Sequence, residues 1–163
     1  MKRIDYYWHL AKRTYTSYRA RPLSSCEQEE VSRILLSSEL ELWNRFPVQD
    51  QRHSYVVMKR FHERMSSASA SQLRAALLHD IGKIAAPLST TMRVVATFVG
   101  PRTATFRAYH DHEEIGLQLL AEHSDSVTIQ LLRDMYFAEE SLLVSSDNIV
   151  DPVVAALIAA DNI

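Results

Sequence analysis

An all-α fold, a compact helical bundle with an additional N-terminal helical segment, is what this sequence predicts. Three features point to it. Apolar residues recur at three- and four-residue spacing over most of the chain, capping residues precede several of these runs, and short Pro-, Gly- or Ser-containing breaks separate them. The one β-branched run, Val94-Val95-Ala96-Thr97-Phe98-Val99, would suit a strand, but a lone strand has nothing to pair with, so it reads as a buried helix. The 163 residues suit a single domain, with 1–49 as a helical addition and 50–163 as the core that carries the motifs.

Ile4 to about Tyr18 reads as an aromatic-rich amphipathic helix whose Tyr and Trp residues either pack on the core or line a groove. After the break at Arg21-Pro22, Ser24 or Ser25 can cap a helix beginning near Cys26, with Glu27, Glu29 and Glu30 in its favourable first turn. A short helix holding Leu40, Leu42, Trp43 and Phe46 runs into Pro47, and a long one covers roughly Asp50 to Met65. Beyond Ser66-Ser67-Ala68-Ser69, a helix carries Leu73, Ala76 and Leu77 and is expected to end at Gly82. Gly100-Pro101 forces a turn, and helices are expected near His112–His123, Val127–Phe137 and Pro152–Asn162, the last capped by Asp151.

Composition narrows the function classes. A 47% hydrophobic, 23% charged chain is globular material, and a formal net charge of −2 provides no overall basic field for nucleic acid. Cys26 is the only cysteine, so neither an intrachain disulfide nor a thiolate-rich zinc site can form. No run of eighteen apolar residues suggests a membrane span, and no signal-peptide core follows the start, so the cytoplasm is the default expectation. Oligomeric state is not written in the pattern.

The histidines separate by helical angle. From His53, the positions three, four and eight residues on are Val56, Val57 and Phe61, an apolar stripe that turns His53 inward, whereas His62 lies half a turn round and faces water. His79 and Asp80 follow the buried pattern Leu73-Arg74-Ala75-Ala76-Leu77-Leu78. Adjacent side chains diverge on an unbroken helix, so these two can share one ion only at a helix end. Asp161 lies on the face of Val154, Leu157 and Ile158; it is either a buried carboxylate that needs a cation, hydrogen bonds or a proton, or a group in a frayed last turn touching water. Two imidazoles and two carboxylates make a mixed N/O ligand set suited to a divalent ion.

Arg52-His53-Ser54, then Leu77-Leu78-His79-Asp80-Ile81-Gly82-Lys83, then Ala160-Asp161 resemble, in order, the motifs of the HD-domain metal-dependent phosphohydrolases. The resemblance spans about Asp50 to Asp161. It implies an all-helical fold, a divalent ion (Mn, Fe, Zn, Mg, Co or Ni) on His53, His79, Asp80 and Asp161, and hydrolysis of a phosphate ester or phosphoanhydride. The substrate it implies is a small phosphorylated molecule or nucleotide; family members include nucleotidases, cyclic-nucleotide phosphodiesterases and alarmone hydrolases. The competing function is a non-catalytic, metal-supported module that binds or senses a phosphate ligand. Lys83, three residues past Asp80, would neutralise the phosphate or protonate the leaving group, or it is a solvent-exposed lysine after the helix end. Arg52 is a further phosphate candidate, although neighbours on a helix diverge by about 100°.

His112, on the face of Gly116, Leu119, Leu120 and His123, is similar in place to the histidine that serves a second metal in two-metal members; the alternative is a core histidine. Gly116 would permit close approach of a helix or ligand. The pattern then departs from the family, because Ile129-Gln130-Leu131-Leu132-Arg133-Asp134-Met135 carries no histidine. One metal is therefore expected, with Arg133 or Asp134 in the vacated region and Arg133 able to hold a phosphate bidentately. Neither that gap nor the lack of a Gly-Tyr-Pro extension suits a cyclic-dinucleotide phosphodiesterase.

Overall fold

Side-chain caps start several of the helices. In the computed structural model, which describes residues 21–85, 112–144 and 150–162, these residues form seven α-helices and one 3-10 turn and no strand. The helices are α1 (Ser25–Ile34), α2 (Ser37–Trp43), α3 (Val48–Arg64), α4 (Ala70–Leu78), α5 (His112–Leu120), α6 (Ser126–Val144) and α7 (Pro152–Asp161), with the 3-10 turn at Ile81–Ala85 between α4 and α5. Ser24 and Ser69 head α1 and α4 with capping boxes completed by Glu27 and Gln72. Asp151 caps α7 through Val153 N and Val154 N, with Pro152 in the first turn, as its sequence predicts. The expected helix over 4–18 and the ambiguous run over 90–99 lie outside the described residues.

Three boundaries differ from expectation. Helix α6 runs to Val144 rather than stopping near Phe137, and α5 ends at Leu120, short of His123. Helix α4 ends at Leu78, with His79 as its cap in the right-handed helical region, so Gly82 lies within the 3-10 turn and does not terminate the helix.

Helix α4 is the axis of the core. Ala75, Ala76, Leu77 and Leu78 are all fully buried, so four consecutive residues face protein rather than one stripe. It packs on α1, α3 and α6, while α7 lies against α3 and α6 and α5 against the 3-10 turn. Phe61, Met58, Leu120, Leu132, Met135 and Leu157 fill the space between. Along α3, Val57 and Phe61 are buried and His62 is exposed, which gives His53 the inward direction its stripe implied.

Helix α1 is stitched to α3 by charge. Glu30 accepts from Tyr55 Oη at 2.7 Å and Lys59 Nζ at 2.8 Å, and Glu27 holds Arg52 at 2.6 Å. On another side, Glu39 is fully buried and accepts from Ser124 Oγ and, at 2.8 Å, from Leu36 N, with Arg74 Nε at 3.8 Å. Burial pushes its carboxyl above the usual range against the pull of those partners. Arg74 also reaches Asp125, which heads α6 and accepts from Val127 N, Thr128 N, Thr128 Oγ1 and Ser71 Oγ.

Burial raises the Asp125 carboxyl, but the bonds from Thr128 and Ser71 and the Arg74 charge outweigh it and take its pKa from 3.8 to about 2. With its side chain 30% exposed, Asp125→Ala is expected to cost about 1–2 kcal/mol at neutral pH. A carboxylate with a depressed folded pKa contributes in full above its unfolded value and loses that contribution as pH falls through the folded one. Urea unfolding of the two proteins should therefore differ most above about pH 4 and converge near pH 2; a gap that stays constant over that range would show that the charge of Asp125 is not what stabilises the helix start.

Candidate metal centre

Three elements distant in sequence bring their polar groups to one place. His53 comes from the second turn of α3, Asp161 from the last turn of α7, and His79 and Asp80 from the end of α4. His53 Nε2 lies 2.9 Å from Asp161 Oδ1 and 3.7 Å from Asp80 Oδ2. His79 Nε2 lies 3.4 Å from Asp80 Oδ2 and 3.5 Å from Asp161 Oδ1. The two rings meet edge to face with centroids 5.4 Å apart. One ligand atom each from His53, His79 and Asp80 fall within 4.8 Å of one another, a cluster able to coordinate a divalent metal ion.

Hydrogen bonding singles out the same point. Both Nε2 atoms are buried, and neither makes a hydrogen bond among the described residues. Even at 2.9 Å, Asp161 Oδ1 lies off the direction in which a His53 Nε2–H would point. Buried polar atoms without a hydrogen bond are rare, and a pair of them facing two carboxylates suits a cation. On its other side, His79 Nδ1 lies 3.0 Å from Ala76 O. A carbonyl only accepts, so Nδ1 carries the proton there and Nε2 of the neutral ring presents a lone pair.

Charged groups within the cluster shift one another. Burial pushes the His79 imidazole down, but Asp80 and Asp161 beside it raise it to about 9. Burial pushes Asp80 up, yet Lys83, His79 and His112 hold it well below the usual range. Asp161 is likewise lowered, against its burial, by His53 and His79. The two carboxylates and the cationic groups beside them hold one another in their charged forms.

The remaining candidates divide. Lys83 Nζ pairs with Asp80 Oδ2, and its side chain is only 13% exposed, so it is not a lysine in open solvent. His112 Nε2 stands 3.2 Å from Asp80 Oδ1, the oxygen turned away from Lys83. Arg52 is not brought to the cluster. Its guanidinium is held by Glu27 and by Arg21 O and Pro22 O at 3.1 and 2.8 Å, because the residue next to His53 on a helix faces another side. Arg133 and Asp134 are exposed and bond only to Gln130 among the described residues.

The face of α6 that does reach the site carries Tyr136 and Glu139. Tyr136 Oη donates to His79 O. Burial raises its phenol well above the usual range, and the carboxylates of Asp80, Glu113, Glu139 and Asp161 add to this, so the hydroxyl stays protonated. Burial, together with the charges of Asp161 and Glu113, raises Glu139 to about 7. Sequence reasoning sought histidines on this helix and passed over both residues. The available signal was their place on the face of buried Leu132 and Met135. An open surface cavity of about 430 Å³ lined by Arg60, Glu63, Arg64, Ala159 and Asn162 shares no residue with the cluster.

No protein-family model matches this chain, and no curated protein or solved structure matches it either. Fold and site together define an all-helical protein, among its described residues, with a His53/His79/Asp80 cluster able to bind a divalent metal. None of the described helices is long and apolar enough to cross a membrane.

His112 reaches Asp80 because two glycines let α5 touch the 3-10 turn. A Cβ on Gly82 would stand 1.7 Å from His112 O and 2.7 Å from Gly116 N, while one on Gly116 would stand 3.2 Å from Gly82 N. Neither glycine has a left-handed backbone, so the need is space, not φ. Because the obstruction at Gly82 is main chain, Gly82→Ala should cost about 3 kcal/mol or more and move α5 off the turn. Chemical unfolding measures the cost; an unchanged midpoint would mean that the two backbones are not in contact.

Proposed function

We propose that this chain is a metal-dependent phosphohydrolase of the HD type, acting on a phosphate ester or phosphoanhydride of a small metabolite or nucleotide. The observation that carries this reading is the pair of buried, unbonded Nε2 atoms of His53 and His79 facing Asp80 and Asp161. The ordered motifs on which those residues stand, above all Leu-Leu-His-Asp-Ile-Gly-Lys, supply the reaction class.

His53, His79, Asp80 and Asp161 would hold the ion, two neutral nitrogens and two anionic oxygens. When bound, a divalent ion supplies Lewis acidity toward a phosphoryl oxygen and acidifies water. Lys83 has no lone pair to ligate with when protonated; its ammonium, beside Asp80, supplies positive charge to the phosphate. His112 braces the second oxygen of Asp80. Arg52 and Arg133 drop out of this reading, since neither faces the cluster.

Purified protein, reconstituted with Mn²⁺, is expected to bind metal and to release phosphate from at least one member of a panel of nucleotide and non-nucleotide phosphoesters. Asp80→Ala should lose most of the metal. Lys83→Ala should keep it and turn over roughly a hundredfold more slowly, the equivalent of a few kcal/mol of lost transition-state stabilisation. Metal content of Asp80→Ala equal to that of the wild type would remove Asp80 from the ligand set. Full metal binding with no phosphate release across the panel would replace the enzyme by a metal-supported binding module.

A further inference from the structure

His79 and Asp80 are consecutive, and side chains of consecutive residues point to one centre only if the peptide between them is turned in a particular way. That peptide carries the His79 carbonyl. In a continued helix its oxygen would accept from Lys83 N, but Lys83 N donates instead to Asp80 O at 2.9 Å. The donor the His79 oxygen has is the Tyr136 hydroxyl, which arrives from α6, fifty-seven residues further along the chain. On either side of this peptide the groups are already held. The His79 ring is tied to Ala76 O within α4 itself, and the Asp80 carboxylate is tied to Lys83 and His112. The Tyr136 bond adds a hold on the main chain between them, where α4 gives way to the 3-10 turn.

We propose that Tyr136 is a positioning residue for the metal centre: its hydroxyl holds the His79–Asp80 peptide in the orientation that lets both side chains face one ion. The proposal rests on the metal-centre reading above. Tyr136 does not ligate. It acts through the main chain of one ligand, as outer hydrogen-bond partners of metal sites do when they orient the groups that bind. Removing the hydroxyl leaves the carbonyl without that donor and loosens the main chain between the two ligands, so they are held together less firmly.

The test uses the full chain stripped of metal and titrated with Co²⁺, followed both by calorimetry and by the visible spectrum of the bound ion. Tyr136→Phe keeps the ring and deletes the donor; it is expected to weaken Co²⁺ binding about tenfold or more and to change the spectrum. Thr128→Val is the comparison, since Thr128 Oγ1 bonds to Asp125 and Ser71 O away from the cluster. That variant should lower the melting temperature of the metal-free protein and leave Co²⁺ affinity alone. If Tyr136→Phe behaves in the same way, with a lower melting temperature but wild-type affinity and spectrum, the tyrosine is only structural and the proposal is overturned. Should Tyr136→Phe fail to fold, 3-fluorotyrosine at position 136 keeps the ring and a more acidic donor. It should bind Co²⁺ at least as tightly as the wild type, and weaker binding there overturns the proposal too. A wild-type chain that binds no Co²⁺ removes the metal centre itself and this proposal with it, an outcome distinct from a centre that binds equally well without the hydroxyl.

Discussion

A carboxylate removed from water costs several kcal/mol unless opposite charge and hydrogen-bond donors replace the solvent. Asp80 is buried at the end of α4, itself the most enclosed helix among those described. Its surroundings answer that cost from several directions: Lys83 from the 3-10 turn, His53 from α3, His79 from its own helix end and His112 from α5. The last of these needs α5 pressed against the turn closely enough that Gly82 has no room for a side chain and Gly116 has little. The close approach of α5 to the turn is what brings His112 to this one group.

The molecule contains a second buried polar cluster, and the contrast between the two is informative. Glu39, Arg74, Ser124 and Asp125 join the starts of α2 and α6 to α4 in a network whose bonds run from one protein group to another. Such a network fixes helices and leaves nothing for a ligand to complete. At the other cluster the carboxylates have cationic neighbours, yet two imidazole nitrogens remain buried without a hydrogen bond. That cluster, unlike the first, is able to coordinate a divalent ion.

Helix α1 and Arg52 on α3 meet through charge, and not at the site. Arg52 adjoins a ligand candidate and carries the charge a phosphate would want, but Glu27 and two main-chain carbonyls hold it. With Glu30 binding Tyr55 and Lys59, it makes α1 a brace along the outer side of the helix that presents His53. The charge of Arg52 is thereby used for docking rather than recognition. Lys83 is the opposite case: its bland reading as a solvent-exposed lysine fails because its ammonium is drawn onto Asp80.

Helix identity was legible from the residues alone, since it depends on neighbours three and four positions apart and on caps such as Ser24, Ser69 and Asp151 that bond within a single turn. The same periodicity turned His53 inward and His62 outward and placed Asp161 on an apolar face. It could not tell a buried Asp161 from one in a frayed last turn, because that depends on what α3 and α4 place opposite it. It could place Tyr136 and Glu139 on the inward face of their helix but not at the site, since their side chains matter through α4, α5 and α7 rather than through their own helix. Gly82 was read as a helix stop, although its reason is the backbone of His112 thirty residues on. Local hydrogen bonds and helical angle are set by short stretches of sequence; the meeting of His53, His79, Asp80 and Asp161 is set by packing between helices far apart in the chain, and only the tertiary structure decided it.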